Sequence, residues 1–177
     1  MIDMKNALTL NYKFIILTLF CFCSIVLSAQ NEYKLSSIKP GSKINYVIDF
    51  SHSIIMGLSE TDFANYEKDW NKDKFSIITK FQKGINNKLD GLLNIGTYMD
   101  SPYTLMVTVK NISDVGNIFC DVTITDDNGQ ILFAVKNVNG GAEPPFLPGT
   151  KLAKIKIWAS LTGRSLGGIL KSEYLDQ

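Results

Sequence analysis

Apolar and polar residues alternate in four stretches of the chain, and this alternation predicts the strands of a sheet. The stretches are 44–50, 103–110, 118–125 and 131–135. Asp126-Asp127-Asn128-Gly129 separates the last two stretches. Because Asn-Gly tolerates the positive φ angles of a tight turn, these two strands are expected to pair as an antiparallel hairpin. The segment 51–58 fits a bend or a short strand.

Apolar residues at spacings of three and four predict a helical region between the first two strands. Ser59 is a candidate helix cap, with Asp62 three residues later. The apolar positions form two sets, first Phe63, Tyr66 and Trp70, then Phe75, Ile78, Phe81, Ile85 and Leu89. Gly91 is a plausible end of this helical region.

In the last segment of the chain, from residue 150 onward, Lys154-Ile155-Lys156-Ile157 alternates like a strand, but the wider window favours a second helix. Leu152, Ile155, Ala159, Leu166 and Leu170 lie near one stripe of such a helix. Small residues recur there every four positions, at 159, 163 and 167. Small side chains allow close approach of another backbone, and we expect this row to pack on the sheet.

The order strand, helix, three or four strands, helix indicates an α+β fold. We expect a mainly antiparallel sheet of four to five strands with two helices on one face. The first 29 residues form a separate unit. Lys5 and Lys13 precede an apolar run over 14–27, and Ser28-Ala29 supplies small residues for cleavage. These features predict a signal peptide over 1–29, which leaves a single exported domain over 30–177, periplasmic or extracellular.

Charge and composition narrow the function classes. The chain of 177 residues carries 18 basic and 17 acidic residues, so nucleic acid and anionic membranes are not expected partners. The apolar run of the leader is shorter than the roughly 20 residues of a membrane span, and no integral membrane segment is expected after its removal. Cys120, the one cysteine after the leader, falls on the apolar face of a strand and is expected in the core.

Catalytic and metal motifs are weak. Gly163-Arg164-Ser165-Leu166-Gly167 matches the G-x-S-x-G pattern of α/β-hydrolases, but no His follows Ser165 in the chain. The one His, His52, lies beside Ser51 and close to Asp49. A hydrolase using His52 with Ser51 or Ser165 is therefore the least favoured hypothesis, and the protein is expected not to be an enzyme. One His and one cysteine after the leader do not make a zinc site, and no cofactor is expected.

The loop over 137–149 is the candidate contact region. It is long and rich in glycine and proline, and such loops often contact partners. The candidate residues are Gly140, Gly141, Phe146 and Leu147. Phe146, flanked by prolines, fits either an exposed anchor for a partner or a residue tucked beneath the loop.

The chain also resembles known exported proteins. Ser28-Ala29-Gln30 is similar to the end of export signals of Bacteroidota. Asp49-x-Ser51, Gly57-x-Ser59, the hairpin turn and the Gly140-Gly141 loop resemble small secreted or envelope proteins of these bacteria. The layout is also similar to envelope lipoproteins that help to assemble surface structures, although this chain lacks their lipidated cysteine. The intact core pattern, the near-neutral charge and the lack of a catalytic set favour a non-enzymatic binding or assembly module of the cell envelope, whose partner is another envelope or secreted protein. A carrier of a small apolar ligand is the alternative.

Overall fold

The computed structural model describes residues 35–142 and 149–176 of the chain. The predicted signal peptide therefore lies outside the described residues, and so do Phe146 and Leu147. None of the described helices is long and apolar enough to cross a bilayer.

Within the described residues the chain forms one sheet of seven strands, three α-helices and a short 3-10 helix at Leu35–Ser37. The strands are β1 (Lys43–Asp49), β2 (Ile54–Ile55), β3 (Leu58–Ser59), β4 (Asn94–Gly96), β5 (Tyr103–Ile112), β6 (Ile118–Asp126) and β7 (Ile131–Val138). The helices are α1 (Glu60–Tyr66), α2 (Trp70–Leu89) and α3 (Lys151–Leu175). The predicted α+β class is confirmed, although the structure has more strands and one more helix than the sequence pattern predicts.

Strand β5 lies at the centre of the sheet. One edge of β5 pairs with β6 in antiparallel fashion, and β7 continues this arrangement beyond β6. The other edge pairs with β1 and then with β2, both parallel to β5. β4 lies parallel to the start of β1. The longest antiparallel ladders join β5, β6 and β7, as predicted. The parallel pairs involve β1 and β2, and the crossover from β1 to β4 contains α1 and α2.

The hairpin between β6 and β7 forms where the sequence predicts it. The Asp126 N–H donates to the Gln130 carbonyl at 3.0 Å, and the Gly129 N–H donates to the Asp126 carbonyl at 3.1 Å. Gly129 takes a φ of 79°, while Asn128 is not among the residues with positive φ. The glycine alone supplies the left-handed position of this turn.

The core lies between one face of the sheet and the helices α2 and α3. Tyr46 on β1 stacks on Phe81 of α2, with ring centroids 6.4 Å apart. Cys120 is fully buried on β6, and its Sγ lies 3.6 Å from the Val138 carbonyl oxygen. Burial, with a smaller contribution from Asp121, raises the pKa of the Cys120 thiol to about 12. Cys120 therefore stays a neutral thiol at physiological pH, as expected for a core residue.

The row of small residues in α3 packs against α2, and the prediction that it packs on the sheet is wrong. A side chain at Gly163 would collide with the Phe81 carbonyl oxygen, and a Cβ at Gly167 would lie 2.6 Å from the Ile85 carbonyl oxygen. From the other side, a Cβ at Gly84 would lie 2.5 Å from the Ser160 carbonyl oxygen. The residue numbers rise by four in both helices between these contacts, from Phe81 to Ile85 in α2 and from Gly163 to Gly167 in α3. The two helices therefore run parallel with their backbones in contact.

The predicted helical region is two helices, and the second one buries a different set of residues from the predicted stripe. Ser59 caps α1 as expected, since its Oγ accepts the Asp62 N–H at 3.2 Å. The chain then leaves the helix over 67–69 and restarts at Trp70. Trp70 and Ile77 are buried, whereas Phe75 is 76% exposed and Tyr66 is 64% exposed. Phe75 is therefore not a core residue, because the new helix places Ile77 toward the sheet.

Candidate functional site

The site centres on Asn117, which holds the beginning of the predicted contact loop. Asn117 precedes β6 and is only 2% exposed. Its Oδ1 accepts the Gly140 N–H at 3.1 Å, and its Nδ2 donates to the Gly141 carbonyl oxygen at 3.4 Å. One side-chain amide thus binds a donor and an acceptor of two consecutive residues.

The turn that carries Asn117 is itself fixed by hydrogen bonds. The Asn117 N–H donates to Ser113 Oγ at 3.2 Å, and the Ser113 N–H donates to the Asn117 carbonyl oxygen at 2.9 Å. Gly116, with a φ of 91°, lies against the backbone of α3, since a Cβ there would be 2.9 Å from the Ile155 nitrogen. The amide of Asn117 is therefore oriented before any partner arrives.

Trp158 of α3 packs against Gly140 at the base of the loop. It is fully buried, and a Cβ at Gly140 would lie 2.7 Å from its Cζ3 atom. Only glycine lets the loop backbone lie this close to the indole ring. The indole N–H of Trp158 has no hydrogen-bond partner in the part of the chain that the structure describes.

The other end of the loop is fixed at the start of α3. Thr150 caps this helix, and its Oγ1 accepts the Ala153 N–H at 3.3 Å. Lys151 places its Nζ 4.3 Å from the ring centroid of Tyr66 and 3.9 Å from Glu67 Oε1. The segment 143–148 therefore begins and ends at positions anchored on the folded domain.

The structure thus places Gly140 and Gly141 at an anchored loop base, whereas Phe146 and Leu147 lie outside the described residues. The sequence analysis missed Asn117 and Trp158. Trp158 lies three residues after Ile155 on the apolar stripe of α3, so helical spacing could have identified it. A single buried Asn in a turn has no such periodic signal.

The residues of the hydrolase hypothesis form a turn at the end of β1. The Ser51 N–H and hydroxyl both donate to the Asp49 carboxylate, at 2.8 and 3.1 Å. These two bonds, followed by the nearby His52 and Lys74, lower the pKa of Asp49. The Ser51 hydroxyl is directed at a carboxylate and not at the imidazole that would activate it as a nucleophile.

Ser165 does not occupy a nucleophile elbow. The elbow places its serine on a sharp turn between a strand and a helix. Ser165 instead lies within α3, which runs without interruption over Lys151–Leu175. The two glycines of the G-x-S-x-G match, Gly163 and Gly167, instead lie where α3 touches α2.

The described residues contain no group of three or more metal-ligating side chains. Asp126, the first residue of the hairpin turn, uses its Oδ1 to accept the N–H groups of Asn128 and Gln130, at 3.0 and 2.8 Å. This carboxylate oxygen caps the hairpin turn, so the turn explains the Asp-rich sequence.

Replacing Ser51 with alanine is expected to raise the pKa of Asp49 part of the way toward the value of about 3.9 for a free aspartate. The hydroxyl bond is lost while the backbone N–H bond stays. Because the folded pKa is depressed, the stability that Asp49 contributes is present above its unfolded pKa and lost as the pH falls through the folded pKa. A carboxyl NMR titration measures the change. A larger rise of the Asp49 pKa in His52→Ala than in Ser51→Ala would contradict the conclusion that Ser51 is the main cause of the lowered pKa.

Replacing Asn117 with alanine is expected to lower the free energy of unfolding by about 2 kcal/mol, because two partly buried backbone groups lose their partner. The Gly140 amide should also exchange its hydrogen faster. Asn128→Ala is the matched control, since Asn128 is exposed and its Nδ2 donates to the neighbouring Asp127. Urea unfolding and hydrogen exchange report the two effects. Equal stability and exchange in both variants would show that Asn117 does not hold the loop.

Comparisons with known proteins give distant likenesses to solved structures. No protein-family model and no curated protein matches the chain. Two solved structures of the PelC dodecamer from Paraburkholderia phytofirmans, one of them a point variant, are similar to it at 10% sequence identity. The alignments have TM-scores of 0.36 and 0.37 and cover 72% of this chain and 91% and 89% of the PelC chains. A likeness at this level assigns neither a family nor a function to this chain.

Proposed function

We propose that the protein is an exported, non-enzymatic binding or assembly module of the bacterial cell envelope. Its partner is another envelope or secreted protein, and the contact region is the predicted loop over 137–149, whose first two residues, Asn137 and Val138, belong to β7. The observation that carries this proposal is the double anchoring of the loop, by Asn117 at one end and by Thr150 and Lys151 at the other. A loop held at both ends loses less conformational entropy on binding, which favours affinity.

The composition of the loop supports a protein partner. The sequence Pro144-Pro145-Phe146-Leu147-Pro148 combines an aromatic residue with three prolines. Aromatic residues supply much of the binding energy in protein interfaces, and prolines restrict the backbone before binding. The near balance of 18 basic and 17 acidic residues gives no electrostatic reason for a nucleic-acid partner.

Photo-crosslinking in the host identifies the partner and tests the proposal. A photoreactive amino acid replaces Phe146 in one variant and Phe75 in another. Phe75 is the matched control because it is a large exposed aromatic residue on α2, outside the loop sequence. We expect a discrete crosslinked envelope protein from position 146 and none from position 75. Equal labelling at both positions, or labelling only at position 75, would reject the loop as the contact region.

A carrier of a small apolar ligand is a second candidate, favoured by one observation. The hydroxyl of Tyr46 is buried in the core and has no hydrogen-bond partner among the described residues. An acceptor atom on a bound ligand would satisfy this hydroxyl. Native mass spectrometry of the domain from Gln30, purified from an exported preparation, separates the two functions. An extra mass of a few hundred daltons, lost on denaturation, would favour the carrier, and a clean mass would favour the protein-binding module.

The stability of a Tyr46→Phe variant also distinguishes the ligand carrier from the protein-binding module. If the core holds no ligand, removing an unpaired buried hydroxyl is expected to raise the free energy of unfolding by about 1 kcal/mol. Urea unfolding of the purified domain measures this change. A loss of stability together with the loss of a co-purifying mass would instead identify Tyr46 as the polar contact of a bound ligand.

A further inference from the structure

We draw no further inference here: the strongest candidate, the pocket of about 230 Å³ between the start of β1 and the loop that leads into β5, is lined by the exposed charged residues Lys43 and Asp100, is smaller than the roughly 300–1,000 Å³ typical of ligand sites, and nothing in the structure shows what occupies it.

Discussion

Replacing Gly163 with alanine is expected to lower the free energy of unfolding by about 3 kcal/mol or more, at the upper end of the range for overpacked cores. The new Cβ would collide with the Phe81 carbonyl oxygen, which belongs to the backbone of α2 and cannot rotate away. Relief requires the two helices to separate. Separation would also disturb the close contacts at Gly84 and Gly167, so the loss spreads along the whole helix pair.

Gly168→Ala is the matched control for this prediction. Gly168 is the next glycine in α3 after Gly167, and a Cβ there would meet nothing within 4 Å. Alanine has the better helix propensity, so this variant is expected to gain up to about 1 kcal/mol. Urea unfolding followed by circular dichroism measures both variants. Opposite signs are predicted, and a Gly163→Ala protein as stable as the control would refute the contact between the α2 and α3 backbones.

Replacing Trp158 with alanine is expected to lower the free energy of unfolding by about 3–5 kcal/mol. Trp158 is fully buried beneath Gly140, so truncation leaves a cavity under the loop base. Gly140 and Gly141, at the base of the loop, are then expected to lose their fixed position even where the domain stays folded. Hydrogen exchange of the Gly140 amide measures that loosening independently of global stability.

Trp158→Phe keeps most of the ring and removes the indole N–H, which has no partner in the described part of the chain. This variant is therefore expected to lose much less stability than Trp158→Ala, because part of its packing loss is offset by the removal of an unpaired donor. Guanidinium unfolding ranks the two variants. Equal losses in both would mean that the indole N–H makes an essential bond and that packing is not the main role of Trp158.

Periodicity predicted the long elements well because their burial follows a regular pattern. Strands β1, β5 and β6 each present one face to the core, and the hairpin turn depends on one local glycine. Strand β7 departs from the predicted alternation, since Leu132 and Phe133 are both buried and Ile131 is 39% exposed. Strands β2, β3 and β4 have only two or three residues each, too few to show alternation. Parallel pairing of β1 with β4 and β5 depends on distant segments, which no local pattern records.

Helical spacing identified the helices but not always the surface that they bury. Phe75 precedes Ile78 and Phe81 at helical spacing, yet it is 76% exposed. The buried positions of α2 are instead Trp70, Ile77, Phe81, Gly84, Ile85 and Leu89. Likewise, the small residues of α3 predict a close approach of some backbone, and only the fold shows that this backbone belongs to α2.

For the candidate site too, the sequence predicted some residues and not others. Loop composition alone indicated Gly140 and Gly141, because paired glycines mark an unusual backbone. Their anchor, Asn117, lies 23 residues earlier in the chain from Gly140 and reaches it only through the pairing of β6 with β7. Such a contact between distant residues leaves no trace in the spacing of either segment.

The most direct test of the account is the affinity of the crosslinked partner for a set of four proteins. These are the wild type, Phe146→Ala, Phe75→Ala and Asn117→Ala, compared by calorimetry. The account predicts that Phe146→Ala raises the Kd by about tenfold or more, as for an interface anchor, and that Phe75→Ala leaves it unchanged. Asn117→Ala should weaken binding as well, because it releases the loop base. An unchanged Kd in Phe146→Ala would contradict the proposal that this loop binds the partner.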